Sequence, residues 1–340
     1  MDTSTNLQIL LKSRPEGAPN LDNFEITENA LPTPKANELL IRTLYLSLDP
    51  YMRGRMSDRK SYADPVELGS VMVGATIGQV EQSHHADFVE GDFVLSYGGW
   101  QTYAVAKADT VQKLEPSDSI PLSYYLGILG MPGQTAYCAL LDIGQPKSGE
   151  TVVVSAASGA VGSVVGQIAK LKGCRVVGVV GSDEKCQYIV KELGYDEAIN
   201  RKSQNLLEAL KSACPQGIDV YYDNTAGPIL EAVLQLINLG ARIPLVGLIS
   251  QYNATEMPPG PNLMPLLVKR AMIKGFLVSD YQDRYESFLK DVSQWIHDGK
   301  LQYQEDVVQG LENAPRAFIE QLQGGNFGKL VVQVSDPQGI

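Results

Sequence analysis

Apolar and polar positions along the chain follow two rhythms. From the N-terminus to about residue 125, short β-like runs alternate with proline and glycine: residues 38–45 (ELLIRTLY), 71–80 (VMVGATIGQV) and 92–96 (DFVLS). Strands at that spacing predict an irregular, mostly antiparallel β-domain. The rhythm changes near Leu126. From there to about residue 300, strand-like runs at 152–156, 176–180, 219–224, 242–247 and 273–278 alternate with helical stretches. That alternation predicts a parallel sheet covered by helices. A helix over 313–322, a Gly-Gly pair and a final strand over 329–334 follow, and the lone strand is expected to return to the N-terminal domain. The fold class is therefore α/β, with domains expected at 1–125 plus 302–340 and at 126–301.

One segment, TVVVSAASGAVGSVVGQIAKLKGCRVVGVVGSDEK from residue 151, carries most of the chemistry. A mostly apolar run at 152–156 (VVVSA) fits a central parallel strand buried on both faces. The next turn, Ala157-Ser158-Gly159-Ala160-Val161-Gly162, is a G-x-G-x-x-G with alanine first. Gly159 would let the backbone approach a pyrophosphate, and Gly162 would let the helix pack closely on the strand. The helix places Val161, Val165, Ile168 and Ala169 on one face, with Gln167 and Lys170 expected outside. In its full strand–turn–helix–strand context this is the opening of a doubly wound, Rossmann-type domain.

The second strand ends Val180-Gly181-Ser182. An NAD site usually has an acidic residue at this tip, whereas Gly-Ser leaves room for a 2′-phosphate. Lys185 and Arg201 lie close by in sequence, and two cations near one pocket favour NADP(H). Asp183 and Glu184 are then expected to face outward in the first turn of the next helix.

Charge narrows the partners. The formal net charge is −11, which argues against non-specific nucleic-acid or anionic-membrane binding. No apolar run approaches the length of a bilayer span. The scattered cysteines, Cys138, Cys174, Cys186 and Cys214, form no close-spaced motif and suit reduced thiols in a cytoplasmic protein. No metal site is expected: His84 and His85 are adjacent in a polar loop without a third soft ligand.

These residues and several further blocks resemble the medium-chain dehydrogenase/reductase superfamily. The nearest branch is the zinc-independent group of leukotriene B4 dehydrogenases, prostaglandin reductases and alkenal double-bond reductases. The matching blocks include DPYMR (49–53), GMPGQTAY (130–137), GSDEK (181–185), Asp223-Asn224, GLISQYN (247–253), LENAP (311–315) and NFGK (326–329), in family order. The segments YLSLDPYMRGRMSD and SQYNATEMPPGP look most like its bacterial members that reduce diarylheptanoid enones.

The resemblance implies a GroES-like β-domain beside the Rossmann domain, a homodimer, and a small-molecule enone substrate. It places the pyrophosphate at Gly159, Ala160, Val161 and Gly162, and the 2′-phosphate at Lys185 and at Arg201, where relatives often carry tyrosine. Asn224, Gly247, Ile249, Ser250 and Tyr252 would line the cofactor, and Phe276, Val278 and Asn326 its nicotinamide end. The sequence departs from the family at Asn224-Thr225-Ala226-Gly227, where Val-Gly-Gly is common after the Asn, and loop geometry is in question there. Tyr51, Tyr62 and Met131 are candidates for the substrate wall. Arg53 and Arg55 could bind an acidic substrate, but structural ion pairs are the expected role.

In an α,β-unsaturated ketone, hydride adds to the β-carbon and negative charge moves to the carbonyl oxygen. A hydroxyl donor can stabilise that enolate without metal. Tyr252, following a strand at its carboxyl end, is the catalytic candidate. Two other readings stay open at this point: a quinone reductase, and a non-catalytic NADPH-binding protein.

Overall fold

The computed structural model describes residues 5–116 and 120–338. The chain divides into two units. One, the β unit, comprises Met1–Gly127, Glu305–Asn326 and Leu330–Ile340; the other, the α/β unit, comprises Ile128–Gln304 and Phe327–Lys329.

In the β unit, β1 (Thr5–Leu11) and β2 (Phe24–Ala30) form an antiparallel pair. β3 (Glu38–Ser47), β4 (Thr76–Ser83), β5 (Phe93–Ser96), β6 (Tyr103–Lys107) and β7 (Gln112–Leu114) build a larger sheet. Later in the chain β14 (Glu305–Gln309) and β15 (Lys329–Gln333) complete it, in the order β14-β15-β3-β4-β5-β7 with β6 also on β3. The last strand pairs antiparallel with β3, Val331 opposite Ser47. A short helix α1 (Met52–Arg55) follows β3.

The run expected as one strand over 71–80 divides. Val71 and Met72 lie instead against β1, Met72 donating its N–H to Ile9 O (2.9 Å), and the chain joins β3 from Ala75, whose carbonyl accepts from Ser47 N–H (2.9 Å). A Cβ at Gly74 would lie 2.7 Å from Leu46 Cδ1, so the chain passes close against the core there. Trp100, fully buried, stacks on Phe24 (5.6 Å between centroids) and meets Phe318 edge-on (5.7 Å). Such rings each bury a large apolar area and prefer stacked or edge-on contact.

In the α/β unit, α2 (Met131–Cys138) leads to a six-stranded sheet. Its elements run β8 (Thr151–Ser155), α3 (Gly162–Leu171), β9 (Arg175–Val180), α4 (Asp183–Lys191), β10 (Glu197–Asn200), α5 (Leu206–Ala213), β11 (Ile218–Tyr222), α6 (Gly227–Leu234), β12 (Ile237–Leu245), α7 (Met264–Lys269) and β13 (Met272–Gly275). Then comes α8 (Tyr285–His297), and in the β unit α9 (Ala314–Leu322). The strand order is β10-β9-β8-β11-β12-β13, and all neighbours are parallel. The order reverses between β8 and β11, and such switch points open a crevice at the strands' carboxyl ends.

β8 is buried at every residue, as its apolar run requires. Gln167 corrects the expected outer face of α3. It is buried because its Nε2 donates to Ser163 O and Gln302 O, while its Oε1 accepts from the Gln302 N–H. A glutamine that satisfies both ends of its amide can sit inside. The run expected over 273–278 stops as a strand at Gly275, and Val278 begins a short 3₁₀ segment. No helix among the described residues is long and apolar enough to cross a membrane.

Candidate active site

The turn after β8 is shaped by what glycine lacks. A Cβ at Gly162 would lie 2.4 Å from Ala156 O and 2.8 Å from Ala157 Cα, an approach no side chain tolerates. A Cβ at Gly159 would meet only Ala156 O, at 3.3 Å. Ala160 and Val161, both half-buried, lead into α3, whose first N–H groups have no intrahelical acceptors. The buried Tyr195 phenol donates to Gly162 O (2.7 Å), locking the helix start. This concave backbone at a helix N-terminus suits a phosphate group.

At the tip of β9, Ser182 caps α4, its Oγ accepting from the Lys185 N–H (3.3 Å). Asp183 and Glu184 are exposed in the first turn, and Asp183 accepts from Asn200 Nδ2 (2.7 Å). Lys185 is not a solvated surface charge. It is 8% exposed, and its Nζ lies 5.1 Å from the centre of the Phe327 ring. A Cβ on Gly181 would meet only Lys202 Cε, at 3.7 Å, so the tip has room for an anion. Arg201 is exposed just past β10, its backbone N–H bonded to Val180 O (3.0 Å). The sequence reading passed over Lys202, although its stem is the one that reaches the tip; adjacency to Arg201 was the available signal.

β11 ends in a knot of hydrogen bonds. Asp223, fully buried, accepts at Oδ1 from the Tyr221 hydroxyl (2.8 Å) and from the N–H groups of Thr225 (2.9 Å) and Ala226 (2.7 Å). Burial pushes its carboxyl above the ordinary value, and those donors oppose the shift. Asn224 donates from Nδ2 to Ser155 O (2.7 Å) and from its backbone to Ser155 Oγ (2.9 Å), tying this loop to β8. Gly247 passes so close that a Cβ would lie 2.8 Å from Asn224 O. Ser250 donates to Thr225 O (2.6 Å), and Ile249 beside it is half-buried. The departure at Ala226 has a visible result: its φ of 56° and ψ of −151° belong to a region that only glycine occupies freely. The knot holds it there.

Tyr252 sits in the following turn, half-buried, with Gln251 N–H on Leu248 O (2.8 Å). Burial raises its phenol above the ordinary value, and a hydrogen bond from the Leu248 backbone partly offsets this. A phenol so shifted keeps its proton at neutral pH and can donate it in a hydrogen bond. Phe276, buried beyond β13, packs on Tyr281 at 4.7 Å, and Val278 is half-buried two residues on. Met131 opens α2 and accepts from Thr135 Oγ1 through its sulfur (3.7 Å).

The β unit holds the other candidates. Tyr51 precedes α1 and packs on the core around Trp100. Its phenol is pushed far up, first by burial, then by Asp49, with Tyr97 and Tyr62 also within electrostatic reach. Tyr62 and Tyr97 are exposed (64% and 73%), and the sequence reading did not single out Tyr97. Arg53 and Arg55 both reach backbone carbonyls. Arg53 Nη2 donates to Gly17 O (2.8 Å) and Arg55 Nε to Asp64 O, which pins the 53–67 loop. Asn326 is half-buried immediately before Phe327.

Among the described residues no three His, Cys, Asp or Glu side chains gather as metal ligands. His84 faces Lys35 O and Gln82, and Cys138, Cys174 and Cys214 are buried separately. The donor set therefore does not fit a zinc ion. The glycine turn, the open β9 tip and the buried Lys185 do fit a phosphorylated dinucleotide.

Comparison with known proteins agrees with this arrangement. Residues 7–114 match the family described as "N-terminal domain of oxidoreductase", and residues 160–294 the one described as "Zinc-binding dehydrogenase". The chain is 51% identical to the NADPH-dependent curcumin reductase of Escherichia coli (strain K12), over 97% of each chain. It is 44% identical to the 2-alkenal reductase (NADP(+)-dependent) of Nicotiana tabacum, over 97% of this chain and 98% of that one. The crystal structure of CurA in complex with NADPH from Vibrio vulnificus is 55% identical and superposes with a TM-score of 0.94, covering 97% of this chain and 100% of that one. The chain belongs to the medium-chain dehydrogenase/reductase superfamily, in its zinc-independent group of curcumin, alkenal and prostaglandin reductases.

Proposed function

We propose that this NADP-dependent oxidoreductase reduces the conjugated C=C bond of α,β-unsaturated ketones, with curcumin- and dihydrocurcumin-type enones in its range. The observation that carries the reading is kinship along almost the whole chain to reductases of such bonds. NADPH, when bound, supplies the hydride that adds to the β-carbon. Gly159, Ala160, Val161 and Gly162 would hold its pyrophosphate, Lys185 and Arg201 its 2′-phosphate. Asn224, Gly247, Ile249, Ser250, Phe276, Val278 and Asn326 would line the remainder. Tyr252 donates a hydrogen bond to the carbonyl oxygen as charge develops there, directly or by orienting a ribose hydroxyl. The α-carbon then takes a proton from solvent or from a further donor. Tyr51, Tyr62 and Met131 would contact the enone.

The test is a product-resolved assay with NADPH against enones, enals and quinones. The expected product is the saturated ketone with its carbonyl retained. An allylic alcohol would overturn the proposal, and turnover of quinones alone would transfer the protein to the quinone reductases. Tyr252→Phe is expected to lower turnover by about 10²-fold or more, the usual cost of one such donor, with the fold intact.

The protein is further expected to be a homodimer. β13 is one of the two edges of the parallel sheet, and every residue of it is exposed. Beside it α7 exposes Leu267 (74%) and Val268 (57%). An open apolar edge of this kind favours pairing with another strand.

A further inference from the structure

The segment Phe327–Lys329 is a late return of the chain into the α/β unit. Its backbone is fixed at two points: Gly328 N–H donates to Ser158 O (2.9 Å), and Lys329 N–H to Gln304 O (3.0 Å). Gly328 has a φ of 61°, and a Cβ there would lie 2.0 Å from Gln304 O, so only glycine allows this passage. A parallel bridge joins Gly328 to Gly159 in the glycine turn.

That anchoring sets the place of the Phe327 ring. α4 presents Lys185 and, one turn later on the same face, Tyr188. The Lys185 ammonium lies 5.1 Å from the ring centre, and Tyr188 meets the ring edge-on at 6.0 Å. Lysine is a flexible point charge on a four-carbon stem, and holding it costs side-chain entropy. An aromatic face attracts the ammonium and removes part of that freedom before any ligand arrives.

We propose that Phe327 is a specificity-determining positioning residue: its ring holds the Lys185 ammonium ready at the tip of β9, so that the protein selects the 2′-phosphorylated dinucleotide over the unphosphorylated one. The proposal rests on the reading that Lys185 binds the 2′-phosphate. It adds a residue far away in sequence, placed by Gly328 rather than by the GSDEK block.

The test measures dissociation constants of NADPH and NADH for the full-length protein and for Phe327→Leu, Phe327→Tyr and Lys185→Ala. Phe327→Leu is expected to weaken NADPH about 3- to 10-fold, the range of one partly desolvated cation–π contact, and to leave NADH unchanged. Phe327→Tyr keeps the ring face and should keep the preference. Lys185→Ala should lose more of it than Phe327→Leu. Equal weakening of both nucleotides in Phe327→Leu, or an unchanged preference while Lys185→Ala loses it, would overturn the positioning role. An unchanged preference in Lys185→Ala would overturn the phosphate reading and this inference with it. Should Phe327→Leu fail to fold, Phe327→Met, close in volume and without a ring face, carries the same comparison.

Discussion

β8 and β13 belong to one parallel sheet, and both carry adjacent large apolar side chains, yet their surroundings are opposite. β8 has strands on both sides and no exposed residue, while β13 has one neighbour and every residue exposed. In β8 the side chains fix a strand from which the glycine turn can be held to within tenths of an ångström. In β13 the same kind of side chain waits for a surface it does not itself provide. An apolar run therefore states that something will cover it, without stating whether the cover is the same chain.

Substitutions along the two strands separate these cases. The largest effect is expected from Gly162→Ala, which drives a methyl into backbone at the end of β8. Overpacking against atoms that cannot move aside costs about 3 kcal/mol, and thermal unfolding together with NADPH titration should show loss of both stability and binding. Full stability in this variant would mean that the turn is looser than its contacts imply. Ile273→Lys on β13 is the counterpart. Within the protomer an exposed substitution costs less than about 0.5 kcal/mol, so circular dichroism should change little. If the parent is the homodimer proposed above, light scattering should nevertheless report monomers for this variant. A variant that stays dimeric would assign the interface to another face.

Smaller effects should come from the knot at the end of β11, between the two strands. Ala226→Gly relieves a backbone conformation that costs about 1 kcal/mol or more for alanine, so the melting temperature should rise slightly. Asp223→Asn tests the buried carboxyl. Its value is raised in the folded protein, chiefly by burial. The folded state therefore keeps this proton after the unfolded chain has lost it. The contribution to stability is complete below the unfolded value of about 4 and declines as pH rises toward the folded one. Glu150 and Asp196, lowered by their cationic partners, add slopes of the opposite sign. Subtracting the pH–stability curve of Asp223→Asn from that of the parent should isolate a component that falls with rising pH above about 4. A difference that is flat there would mean that the carboxyl is ionised at little cost.

Much of this was legible in the residues because local rules and the fold agree. The β8–α3–β9 unit follows from an apolar run, two glycines and a helical period, and all three lie within one window of sequence. The Lys185 region was legible for the same reason. What escaped depended on distant partners. Gln167 is polar and was expected outside; Gln302, far along the chain, satisfies its amide and lets it be buried. The run over 71–80 has one uninterrupted apolar pattern, but β1 claims its first residues through the Ile9 carbonyl. The exposure of β13 has no sequence signature, since Met-Ile looks buried wherever it occurs. Phe327 was read only as part of a family block, and nothing local connects it with α4.

The single-residue passage at Gly328 also bears on the order in which the protein comes into being. The α/β unit leaves off at Gln304 and is completed only by Phe327–Lys329, after an excursion through the β unit. On the ribosome, then, the glycine turn and its helix can form early, while the ring beside Lys185 arrives only after every strand of that sheet. A nascent or truncated chain ending after α8 would hold the fold of a dinucleotide binder before it held the full means of telling one dinucleotide from another.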